Sequence, residues 1–234
     1  MSDELGIAKI SRSGGGTPPS SIGSDGTGTT AGHEWVDLGL PSGTLWATCN
    51  VGANNPWEYG DYFAWGEIEP KSTYSWSNYK YANGADDKLT KYCNKSSYGN
   101  DGYTDSRTTL EKTDDAATAN WGDNWRMPTQ AQFEELYYSC TNEWTFNYQG
   151  KGVAGRIFKS KSNGNTIFLP SAGWKDKNGT LLVDEYIVYY WTSTLSTGYP
   201  YCGVYRFFNS TSKVDVGIGN RAAGRSVRPV WCSH

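Results

Sequence analysis

Residues 125–140 read WRMPTQAQFEELYYSC. Directly after Pro128, Thr129 and Gln132 form a capping box, in which each side chain satisfies the other's free backbone N–H. Phe133, Leu136, Tyr137 and Cys140 then recur at helical spacing and build one apolar face. The pattern predicts a helix opening after Thr129. It is the clearest helical signal in a chain whose other ordered segments read as strands.

Downstream, GRIFKSKSNGNTIFLP (155–170) predicts a hairpin, with Asn163-Gly164 supplying the positive φ of a tight type I′ turn. TLLV (180–183), VYYWTST (188–194), CGVYRFF (202–208), KVDVGI (213–218) and RSVRPVW (225–231) follow as strands bounded by Gly, Asn or Ser. Upstream, EWVDL (34–38) and TLWATCNV (44–51) predict two strands joined by the turn GLPSG. Residues 67–120 are polar and rich in Tyr, Asn and Asp, with little periodicity. So long an irregular stretch implies a fold built around it. One helix among short strands gives an α+β domain with few helices and long loops. Residues 11–32 are almost wholly Gly, Ser, Thr and Pro. They bury too little to offset the entropy of ordering, so residues 1–32 are expected to be a flexible tether and 33–234 the domain.

Aromatics reach 15% of the 234 residues, with 11 Trp, 17 Tyr and 28 Gly against 19% charged, which favours short strands and many turns. A net charge of −3 supplies no basic field for a nucleic-acid partner. No apolar run approaches the roughly 20 residues that span a bilayer, so membrane insertion is not expected. The opening MSDELGIAKISRSGGG has no apolar leader core. Cys49, Cys93, Cys140, Cys202 and Cys232 are widely spaced; an odd number leaves at least one thiol unpaired, and buried inert thiols are the plainest reading. A Cys202–Cys232 disulfide stays open.

WVDLGLPSGTLWATCNVGA, YGDYFAWGE, DDAATANWGDNWRMPT, NGNTIFLPSAGW, YYWTST and GRSVRPV occur in that order across residues 34–230. Together they resemble the major paralogous (FISUMP) domain, similar in fold to formylglycine-generating enzymes and C-type lectins. The resemblance implies a C-type-lectin-like domain whose first and last strands lie side by side. It also implies the variable protein of a diversity-generating retroelement, mutagenised at adenines over about residues 195–225. Asn codons altered at their adenines never yield Lys, Glu, Gln, Met or Trp, and from Thr194 to Ser212 none of these occurs.

On that reading the chain is a non-enzymatic ligand-binding protein, displayed on a cell surface or virion, whose partner is a protein or glycan receptor on another surface. The family pattern assigns Tyr205 and Phe207 to the scaffold. Val204, Arg206, Phe208 and Asn209 then face outward, with Tyr199 and Tyr201 before them and Ile218, Ala222, Ala223 and Arg225 after. Tyr and Arg suit such a patch, offering large contact area and polar tips.

Catalytic chemistry is sparse. His33 and His234 lie at the domain ends, outside any motif with a nucleophile, and read as terminal residues without a role. Cys202 and Cys232 lack the cysteine motif of the formylglycine-generating enzymes. Glu67–Lys71 and WGDNW only echo lectin calcium tripeptides, so no cofactor and no metal ligand are expected. Asp86/Asp87 and Asp114/Asp115 read as solvated loops or helix caps. The alternatives are a fixed-sequence surface or pilus domain and, more remotely, a formylglycine-generating-type oxidase.

Overall fold

The helix opens where the capping box directs. The Gln132 N–H donates to Thr129 Oγ1 at 3.2 Å, and the Thr129 N–H to Gln132 Oε1 at 2.9 Å. In the computed structural model, which describes residues 26–211 and 214–231, this helix α2 runs Gln130–Ser139 and buries Phe133 and Leu136 completely. Cys140 turns out of the helix and starts a strand. Residues 1–25 of the expected tether, Cys232 and His234 lie outside the described residues.

In chain order the strands are β1 (Thr27–Thr30), β2 (His33–Asp37), β3 (Leu45–Ala47), β4 (Trp125–Arg126), β5 (Cys140–Thr145), β6 (Gly155–Ser160) and β7 (Thr166–Pro170). They continue with β8 (Trp174–Lys175), β9 (Leu181–Leu182), β10 (Ile187–Leu195), β11 (Cys202–Asn209), β12 (Val214–Asn220), β13 (Gly224–Arg225) and β14 (Val230–Trp231). Helix α1 (Ala116–Trp121) precedes β4. They form four antiparallel sheets, ordered β1-β2-β3-β14-β4, β10-β11-β12, β13-β8-β9 and β5-β6-β7. The fold is thus β-rich α+β. The first and last described strands share this first sheet but do not lie side by side as the resemblance implies: Val230 of β14 pairs with both Trp46 of β3 and Arg126 of β4, while β1 pairs with β2.

Two local expectations change. The described part of the presumed tether includes a strand, β1, because Trp35 needs a cover that only a bare backbone can give. A Cβ on Gly28 would overlap the Trp35 ring, and Trp35 Nε1 donates to Thr30 Oγ1 at 3.1 Å. The β6–β7 hairpin forms, but not through a two-residue turn. Ser160 N–H bonds Asn165 O at 2.8 Å across the loop Lys161–Gly164, and Ser160 Oγ, which donates to Leu38 O, accepts from Ser162 and Asn163. Gly164 alone of that loop takes positive φ, +79°.

The irregular segment has a polar centre rather than a ladder. Tyr74, Tyr79, Tyr81 and Tyr92 sink into the main core; Tyr74 and Tyr79 donate their hydroxyls to the carbonyls of Tyr62 and Trp65, and Asp114, 3% exposed, collects the hydroxyl ends of Tyr81 and Tyr92. It accepts from Tyr81 OH at 2.5 Å, Tyr92 OH at 2.7 Å and Lys91 Nζ at 2.6 Å. Asp114 is therefore no solvated loop residue. Its neighbour Asp115 is the expected cap, accepting from the N–H groups of Ala117, Thr118 and Met127. Asp86 and Asp87 are exposed as expected.

Burial alone would raise the Asp114 carboxyl, but the hydrogen bonds from Lys91, Tyr81 and Tyr92 outweigh it and hold the group below the usual carboxylate range. Asp105 is lowered in the same way: burial works against it, and N–H donors of Tyr92, Arg107 and Cys93 with Tyr103 OH prevail. A carboxyl depressed by folding contributes its full stability above its unfolded value, about 4. That contribution is lost as the pH falls through the folded value. Urea midpoints are therefore expected to drop between pH 5 and lower pH, roughly the carboxylate window, with a shallower pH slope in Asp114→Asn. An equal slope in the variant would show that other carboxyls carry the effect.

Candidate recognition surface

Strand β11 has its inside and outside the other way round from the family pattern. Val204, Arg206 and Phe208 are 5%, 4% and 0% exposed, and Ala222, Ala223 and Arg225 are 0%, 7% and 7%. For β11 the cause is α2, which packs across this face, whereas Ala222 belongs to the main core and Arg225 lies among the rings of Trp174, Trp191 and Tyr205. Phe208 sits 5.1 Å from the Phe158 ring, 6.2 Å from Phe133 and 6.4 Å from Tyr137, centroid to centroid. Arg206 lies under the same helix, its Nη1 3.4 Å from Glu134 Oε1. Of the expected outward residues, Tyr199 and Ile218 are exposed, and Tyr201 and Asn209 are half-buried.

The residues taken for scaffold line the opposite, partly open face. Tyr189 of β10 and Tyr205 and Phe207 of β11 are half-buried; Tyr189 and Tyr205 meet edge to face with centroids 5.8 Å apart, and Tyr205 and Phe207 meet tilted at 6.3 Å. Tyr205 pairs with Gly217 of β12, and a Cβ at Gly217 would overlap its ring. The strand VDVGIGN thus carries glycine wherever the ring must lie flat on the backbone. That alternation was the signal in the sequence that could have picked out this face.

Beneath the row runs Arg225. Its guanidinium carbon lies 4.3 Å from the Trp191 ring centroid, 4.4 Å from Tyr205 and 5.7 Å from Trp174. Burial pushes the group down to about 10. Its charge rests on aromatic faces, since it makes no ion pair among the described residues. Arg225 stiffens the row from below rather than reaching out from it.

A second aromatic cluster caps the start of β11. Tyr201 lies 5.3 Å from Tyr98 and 6.0 Å from Tyr199. The loop bearing Tyr199 is pinned by Lys95 Nζ donating to Gly198 O at 2.6 Å and Asn94 Nδ2 donating to Thr197 O at 3.0 Å. These tyrosines therefore stand on a braced loop.

Other expected chemistry is dispersed. Cys49, Cys93, Cys140 and Cys202 are free thiols, and burial pushes Cys140 and Cys202 up to about 11, leaving them protonated at neutral pH. His33 is no idle terminal residue: it lies in β2, stacked on Trp121 at 3.8 Å and 7°. Glu67 is buried and paired with Lys71 at 2.7 Å. Among the described residues, no group of three or more His, Cys, Asp or Glu side chains is placed to hold a metal ion, and no helix is long and apolar enough to cross a membrane. No family model, curated protein or solved structure matches the chain.

Proposed function

We propose that the chain is a non-enzymatic binding protein of the variable C-type-lectin-like kind that its sequence blocks resemble. Its recognition surface is the open face of β10 and β11 together with the braced tyrosine loop. The observation that carries the reading is the row Tyr189–Tyr205–Phe207: three large rings left half-open, side by side, on a strand pair fixed from behind by α2. Rings that are rigid yet accessible lose little entropy on binding and offer both apolar area and hydroxyls. That β1 and β14 belong to one sheet, though with β2 and β3 between them, supports the fold assignment. The partner is a protein or glycan receptor, and display is on a cell or virion surface.

A display library of pyrimidine-ending codons at Tyr199, Tyr201, Phe207, Asn209 and Ile218 tests this. Most clones are expected to stay folded, with melting temperatures within a few degrees of the parent, while selection yields binders to immobilised receptors. Wholesale loss of folded clones would place these side chains in the core and end the proposal. The retroelement part rests on a separate observation, a near-copy of the coding segment for about 195–225 beside a reverse-transcriptase gene, differing at adenines.

A second reading, a fixed-sequence surface or pilus building block, is favoured by the apolar residues Leu181, Leu182, Val183 and Tyr186, which are 38–57% exposed around edge strand β9. Concentration-dependent assembly lost in Leu182→Asp would support that reading over the first.

A further inference from the structure

Three adjoining cavities, of about 140, 120 and 440 Å³, run along a different side of the fold. Glu34 and Thr48 line both the first and the second, and Thr166 lines both the second and the third, so they form one groove. Together they fall within the size of small-molecule sites, roughly 300–1,000 Å³. The groove shares no residue with the aromatic face of β10 and β11.

Its walls repeat one device. In the first cavity the half-buried His33 ring lies flat on buried Trp121, at 3.8 Å and 7°. In the second, the half-buried Tyr148 ring lies flat on buried Phe168, at 3.8 Å and 1°. Each lower ring is held by the core, being 7% exposed for Trp121 and 2% for Phe168. Each upper ring is thus fixed in orientation before any ligand arrives. Between the two stacks stands the exposed Glu34 carboxylate, oriented by Thr48 Oγ1 donating at 3.1 Å.

The chemistry of these walls narrows the ligand. Glu34 is the one formally charged side chain lining the first two cavities, and burial lowers the His33 imidazole, favouring its neutral form. A phosphate or sulfate would meet no cation in these two cavities, and in the third only Lys159, offset by Glu143 in the same lining. Flat rings favour the C–H face of a pyranose, whose slightly positive hydrogens meet the negative ring face. A carboxylate with amide and hydroxyl neighbours accepts from the sugar's hydroxyls. We infer that this groove binds a neutral oligosaccharide, with sugar units stacked on His33 and Tyr148 and a hydroxyl donated to Glu34 between them.

Calorimetric titration of the full chain, in buffer containing EDTA, with cellohexaose, xylohexaose, chitohexaose and mannohexaose tests it. At least one is expected to bind, and Glu34→Ala and Tyr148→Ala are each expected to weaken it roughly tenfold. Glu34 is exposed, so its variant keeps the fold even where loss of the Tyr148 stack does not; near-UV circular dichroism checks both. A Tyr199→Ser/Phe207→Ser variant is expected to bind the sugar unchanged, which separates this site from the receptor surface. The inference is overturned if none of the four binds, if Glu34→Ala binds as tightly as the parent, or if the Tyr199/Phe207 variant abolishes binding. Preferential binding of an extended peptide in the groove, lost in Glu34→Ala, would equally overturn it.

Discussion

Phe208→Ala is expected to cost about 3–5 kcal/mol, the range for emptying a fully buried phenyl site. The ring is 0% exposed and meets Phe133 and Tyr137 of α2 and Phe158 of β6, so its loss opens a cavity where helix and two sheets converge. Three of its neighbours, Phe133, Tyr137 and Phe158, are rings, too stiff to fill the space fully. A domain of this size holds on the order of 5–15 kcal/mol in all, so a drop in melting temperature on the order of 10 °C follows. Tyr199→Ala, at a half-exposed loop ring, is expected to stay within about 0.5–1 kcal/mol of the parent. Guanidinium denaturation of the two single variants checks both. Similar midpoints would mean that Phe208 has a free side after all, and would return β11 to the orientation expected from the sequence resemblance.

That reversal marks where local pattern stops being informative. The capping box at Thr129 and Gln132, and the strands around 188–194 and 202–208, are legible because backbone satisfaction and period-2 alternation are local matters. Which side of β11 faces inward is not local. Both sides carry apolar or aromatic residues, Tyr205 and Phe207 on one and Val204 and Phe208 on the other. The choice is made by α2, some seventy residues earlier in the chain. Arg206 misleads for a related reason: a charged residue suggests solvent, yet its stem packs under the helix while the tip reaches Glu134. Strand β1 is invisible because its glycine and threonine composition matches a linker, and only the Trp35 ring it covers explains it. The groove has the same character. His33, Glu34, Thr48, Trp121 and Tyr148 are scattered in sequence, and stacking of His33 on Trp121 could not be read from spacing. The Tyr205 face could have been found, through the alternating glycines of β12.

Arg228→Ala is expected to destabilise the fold by about 3–5 kcal/mol, because it strips several buried acceptors at once. The residue stands in the closing block GRSVRPV and is 0% exposed. Its Nε donates to Asn50 Oδ1 at 2.8 Å, and its Nη1 to the carbonyls of Ala47 at 3.1 Å and Thr48 at 2.8 Å. Asn50 in turn donates to Tyr59 O at 2.9 Å and Tyr190 OH at 3.2 Å, so one guanidinium orders a junction among residues far apart in sequence. The same block adds backbone bonds from Ala47 to Pro229 and from Val51 to Val227, each 3.0 Å. Arg228 therefore serves closure of the sheet at β3 and β14, not display. Arg228→Lys retains the charge but offers a single ammonium where two nitrogens of a planar fork are used, so it is expected to recover less than half of the loss. Both variants leave Tyr189, Tyr205 and Phe207 in place, so thermal unfolding should report the change while any receptor bound below the transition is still held. Full recovery by lysine would mean that charge alone, not the fork, holds the junction. A neutral result for alanine would mean that water replaces the guanidinium and that the closing block owes its arginine to something other than the sheet.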